Sequence, residues 1–153
     1  MPFKTEKSLF NKALASSHME TLFNRSNWLA NFSELSGLFG IPDLIVAIRN
    51  PFRKSTDSLM FLAFEMKLRN WKRALVQAFR YRCFAHKSYV LLDRAHVDPA
   101  RKQIEMFQKS NVGLLSIDTN GEIKIHCKPR YRKPYSQDLE SALRLKVTNG
   151  GHI

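Results

Sequence analysis

The chain has 153 residues, 44% of them hydrophobic and 11% aromatic, which suffices for one domain with a real core and excludes a disordered polymer. Lys and Arg number 25 against 13 Asp and Glu, a formal net charge of +12, and so large an imbalance points to a polyanionic partner. No stretch approaches the apolar length of a membrane-spanning helix, and residues 1–4 lack the apolar core of a signal peptide. Cys83 and Cys127 have no partner-like spacing, so a reduced, cytoplasmic chain with two buried thiols is the expectation.

In chain order, residues 5–23 predict a helix, because Leu9, Phe10, Ala13, Leu14, Leu22 and Phe23 recur at near-helical spacing and Asn24 ends the run. Residues 28–35 alternate as a strand with Trp28, Ala30 and Phe32 on one face. Gly37 and Gly40 punctuate the turn into the apolar run 41–47, and residues 50–57 form a loop to a second apolar run, 59–67. Both runs are apolar at odd and even positions alike, as strands buried on both faces are. Residues 70–81 predict a helix that packs through Trp71, Ala74, Leu75 and Ala78, and 88–92 a short strand. Asp98-Pro99 opens another helix with Asp98 as its cap. Residues 112–117 and 123–126 are two more strands, joined through Asn120-Gly121, a tight-turn pair. The order is α-β-β-β-α-β-α-β-β. Beyond Lys128 the chain turns basic, aromatic and proline-broken, with a short helix at 138–146 and a frayed end at 149–151. This divides it into a domain of residues 1–128 and a tail of 129–153.

Charges stand where packing gives no reason for them. Asp43 opens the first apolar run, and Glu65 and Lys67 close the second, two apart and therefore on one face of a strand. A pair of carboxylates that can hold a hard cation, with a lysine beside them, suits metal-assisted phosphodiester hydrolysis. Pro42-Asp43 followed by Glu65-Met66-Lys67 resembles the two motifs of the PD-(D/E)xK nuclease superfamily. Gln77-Ala-Phe-Arg-Tyr81, on the following helix, resembles the Q-x-x-x-Y element of one of its branches. The resemblance covers roughly residues 5 to 127. It implies an α/β, restriction-endonuclease-like fold: an αβββαβ core with a mixed central sheet flanked by helices, here extended by a C-terminal helix and hairpin.

The resemblance further implies a metal-dependent deoxyribonuclease using Mg²⁺ or Mn²⁺. Asp43, Glu65 and the backbone carbonyl of Met66 would be the metal ligands, and Glu34, or else Glu20, a third acidic one. Lys67 would orient water or neutralise charge on the phosphate, and Gln77 would support the site and contact DNA. Arg73, Gln77 and Tyr81 share a helix face by spacing. With Lys72 and Arg80, and with Arg130, Arg132 and Lys133 in the tail, they form the expected DNA-contacting set, while Tyr131 and Tyr135 are candidates to stack on exposed bases. The five histidines lack zinc-ligand spacing, Gly37 to Gly40 is too short for a phosphate-cradling loop, and no nucleophile-elbow serine is present. The rival readings are a catalytically weak or inactive nucleic-acid-binding module of the same fold, and a nuclease subunit that needs a partner protein. Homodimer formation is left open.

Overall fold

The structure is a computed structural model, and it describes residues 2–23, 27–49 and 59–150. The loop expected at 50–57 and the helix end expected at Asn24 lie outside the described residues. Helices α1 (Glu6–Ala15) and α2 (Ser17–Phe23) precede strands β1 (Trp28–Ser33), β2 (Leu44–Arg49) and β3 (Leu59–Lys67). Helix α3 (Trp71–Tyr81) leads to β4 (Lys87–Asp93), and a 3-10 turn (Arg94–His96), α4 (Asp98–Arg101) and α5 (Ile104–Ser110) lead to β5 (Gly113–Ile117). Strand β6 (Ile123–Cys127) and helix α6 (Gln137–Gly150) complete the chain.

The protein is α/β, with a six-stranded mixed sheet in the order β1-β2-β3-β4-β5-β6 flanked by helices. Strands β1, β2 and β3 pair antiparallel as hairpin neighbours must. The β3–β4 and β4–β5 pairs are parallel, with α3 and then α4–α5 as the crossovers, and β5–β6 is antiparallel. Both faces of the central strands are buried. Leu44, Val46, Leu62, Phe64 and Leu91 pack beneath Leu9, Ala13, Met19 and Phe23 of α1 and α2. Ile45, Ala47, Phe61, Ala63, Val90 and Leu92 pack beneath α3 to α6. That double coverage is why the strands read as unbroken apolar runs.

Three local expectations are corrected. The helix expected over 5–23 breaks at Ser16, whose backbone is extended (φ −71°, ψ 134°). Its hydroxyl donates to the Gly121 carbonyl and accepts from the His18 N–H at 3.1 Å, so a side chain competing for backbone hydrogen bonds ends one helix and caps the next. Trp28 does not share a face with Ala30 and Phe32. The register slips between Trp28 and Ala30, and this irregularity turns the indole to the α1–α2 side while the other two face α3. Asp98 is the first residue of α4 and makes no capping bond; it pairs with Arg101 at 3.1 Å. The capping aspartate is Asp93, which accepts from the Ala95 N–H at 3.0 Å and from the Phe3 N–H at 2.8 Å.

Residues 129–136 run without regular structure, and α6, longer than the helix expected at 138–146, then packs on the sheet; the end expected to fray runs on to residue 151, outside the described residues. Leu143 and Val147 enter the α3-side core. Glu140 faces the buried His86, whose Nδ1 accepts from the Phe61 N–H at 3.0 Å and whose Nε2 lies 3.3 Å from the carboxylate. Because Nδ1 accepts, the ring proton sits on Nε2 and points at Glu140. Leu143→Ala should therefore cost about 2–5 kcal/mol of stability, the usual range for a core leucine, as read by urea unfolding. A loss under about 0.5 kcal/mol would make α6 an appendage.

Candidate active site

Asp43 lies one residue before β2, beside the end of β3. Its N–H donates to the Phe64 carbonyl (3.1 Å), and its Oδ2 accepts from the Met66 N–H (2.7 Å), so the carboxylate is pinned to the strand that carries Glu65. Glu65 is 2% exposed. Its Oε1 accepts from the Tyr81 hydroxyl at 2.6 Å, and its Oε2 lies 3.4 Å from Lys67 Nζ. Asp43, Glu65 and Lys67 therefore stand at the same end of the β2–β3 pair, close enough for the charges of Asp43 and Lys67 to act on Glu65.

Burial sets the electrostatics. It raises the Glu65 pKa to about 7, with the Asp43 charge pushing the same way; the Tyr81 hydrogen bond and Lys67 pull against it without cancelling it. The Asp43 carboxyl is also raised, first by burial and then by Glu6 and Glu34, against the pull of the Met66 N–H and Lys67. Two carboxylates that both resist ionisation take up a proton or a cation readily. The Tyr81 pKa is raised too, by burial and by Glu65.

Tyr81 Oη also lies 3.1 Å from the Ile41 carbonyl. Its one proton goes to Glu65 when that carboxylate is ionised. A Glu65 protonated at Oε1 can donate to Tyr81, which leaves the Tyr81 proton for the Ile41 carbonyl. Gly40 admits the ring: a Cβ there would stand 2.9 Å from Tyr81 Cε1, and its φ of +89° is one that other residues rarely adopt.

A cavity of about 260 Å³ opens beside Asp43, lined in part by Glu34, Glu6 and Lys7. Glu34, the favoured third acid, is thus near Asp43, held in a left-handed conformation at φ +53° with its N–H on the Asp43 carbonyl. Glu20 is exposed on α2 and does not line this cavity. Glu6 was not expected. It sits in the first turn of α1, and only the packing of that helix against β2 and β3 brings it in. Among the described residues, no group of three or more His, Cys, Asp or Glu is assembled to hold a metal ion.

The expected DNA-contacting residues divide. Lys72, Arg73 and Arg80 are exposed on α3, and Arg130, Arg132 and Lys133 are exposed beyond β6. Tyr81 is fully buried and hydrogen-bonded to Glu65, so its side chain reaches no nucleic acid; the helix face shared by spacing runs inward from Arg73 to Tyr81. Tyr131 stacks on His86 with centroids 5.4 Å apart, whereas Tyr135 is 63% exposed. Gln77 is half-buried, and its Oε1 is buried with no hydrogen-bond partner among the described residues. Cys83 and Cys127 are half-buried free thiols. No helix among the described residues is long and apolar enough to cross a membrane.

No protein-family model matches the chain, and no curated protein or solved structure matches it.

Proposed function

We propose that the protein is a metal-dependent nuclease that hydrolyses DNA phosphodiester bonds at Asp43, Glu65 and Lys67, on a restriction-endonuclease-like core. The observation that carries this reading is the placement of Asp43, pinned to the Met66 N–H, at the strand end where Glu65 contacts Lys67, with both carboxyl pKa values raised by burial. The run of three antiparallel strands, a helix and a parallel strand supports the fold assignment.

The donor set fits Mg²⁺ or Mn²⁺: two carboxylate oxygen donors suit a hard cation that keeps several waters of its own. Asp43 and Glu65 would hold it, together with the Met66 carbonyl, and Glu34 is the nearer of the two third acids considered. When bound, such an ion polarises a phosphate oxygen and lowers the pKa of water. The rest is the work of the chain. Tyr81 and the Met66 N–H fix the carboxylates, so little reorganisation is left for the reaction. Lys67 is 20% exposed and reaches past Glu65 toward solvent, where it orients water or offsets charge on the phosphate. DNA is the proposed partner and the cytoplasm the proposed location.

A second reading, a weakly active binding module or a subunit completed by a partner, is favoured by the lack of an assembled three-acid group among the described residues. Lys67→Ala separates the cases. It should reduce turnover about 10²-fold while calorimetric Mn²⁺ affinity stays largely unchanged. Equal loss of both would make Lys67 a structural partner of Glu65.

A further inference from the structure

A second concavity, of about 1150 Å³, lies between the end of α5, the end of β6 and residues 128–135. Arg82, Lys109, Lys128, Arg130, Arg132 and Lys133 line it, and among the described residues no acidic one does. Several other cations have carboxylate partners: Arg94 pairs with Asp118 and Glu122, Arg101 with Asp98, Arg144 with Glu140. Among the described residues, no carboxylate pairs with any of the six in the cleft. Unneutralised like charges in one concavity repel each other and await an anion.

The wall is built in advance. Asn111 clasps Arg130 by both backbone groups, accepting from its N–H at 2.7 Å and donating to its carbonyl at 3.0 Å. Pro129 and Pro134 are buried, and Pro129 fits because position 113 is glycine; a Cβ there would lie 2.8 Å from the proline ring. The N–H groups of Arg132, Tyr135 and Ser136 donate to the carbonyls of His86, Arg82 and Cys83. The segment thus turns its prolines inward and leaves Arg130, Arg132, Lys133 and Tyr135 outward. At one end, the Arg82 guanidinium donates to the Ser110 carbonyl and lies 4.8 Å from the Tyr135 ring and 5.6 Å from that of Phe79, itself 45% exposed.

We propose that this cleft is a binding groove for single-stranded DNA, set apart from the carboxylate pair. Fixed cations spaced along one wall follow a phosphate backbone, and exposed rings beside a held guanidinium offer stacking platforms that only unpaired bases can use. The last turn of α3 joins the two regions, with Tyr81 on Glu65 and Arg82 at the cleft. The choice of DNA rests on the nuclease reading; the groove does not.

The test is fluorescence-anisotropy binding of the full chain to labelled oligothymidylate and to a duplex of equal length, in EDTA so that cleavage plays no part. The single strand should bind more tightly. The exposed-site triple variant Arg130→Ala, Arg132→Ala, Lys133→Ala should weaken it about 10-fold or more and flatten the salt slope by about 0.7 per lost phosphate contact. Tyr135→Ala should weaken it by about 10-fold and Tyr135→Phe should not. Tighter duplex binding, unchanged single-strand affinity in the triple variant, or equal loss from both Tyr135 variants overturns the proposal. Because no metal is present, these results stand whether or not the carboxylate pair proves catalytic.

Discussion

Asp43→Asn is expected to lower metal-dependent DNA cleavage by about 10²–10³-fold or more while the protein stays folded. Asparagine keeps an oxygen to accept from the Met66 N–H, now at 2.7 Å from Oδ2, so the local backbone is not left with an unpaired donor. What it removes is charge, and with it one of two anionic ligands. A divalent-ion titration by calorimetry, beside a cleavage assay and a thermal melt, checks all three parts. Retained cleavage, or loss of cleavage only through unfolding, would remove Asp43 from the site.

The second large effect is on stability. Glu65 has its carboxyl pKa raised from the ordinary 4.5 to about 7 in the folded protein, chiefly by burial. The folded state therefore holds a proton that the unfolded state releases between those values. Its contribution is fully present below about pH 4.5 and is lost as pH rises through about 7. The magnitude is on the order of 3 kcal/mol for a group this buried. Glu65→Gln, which is neutral at every pH, should match the wild type near pH 4 and exceed it by up to about that amount near pH 8. Saturating Mg²⁺ should narrow the gap, because a bound cation offsets the buried charge. Urea unfolding of both proteins across that range is the measurement. A gap that does not grow with pH would mean that Glu65 is stabilised as an anion by Tyr81 and Lys67.

Much of the sheet was legible because burial on both faces leaves a direct trace: runs with no polar alternation, as in 59–64. Asp43, Glu65 and Lys67 were legible for the converse reason, as charges placed where such strands end. What escaped depends on contacts far along the chain. Ser16 breaks the first helix through a bond to Gly121, and nothing near Ser16 announces that partner. Glu6 joins Asp43 only through helix packing. The spacing of Gln77 and Tyr81 put both on one helix, yet a one-dimensional repeat did not tell that Tyr81 turns inward to Glu65. The basic character of 128–133 was plain in the sequence. That it forms one wall of a cleft, with Arg82 and Lys109 supplying more of its lining, needed the fold.

The most direct test of the central claim is nicking of supercoiled plasmid by the purified protein in Mg²⁺ or Mn²⁺, run beside Asp43→Asn and an EDTA control. Nicking by the wild type that disappears in both controls is the expected result. No nicking with either ion, or nicking that survives in Asp43→Asn, would contradict a metal-dependent nuclease site at Asp43 and Glu65.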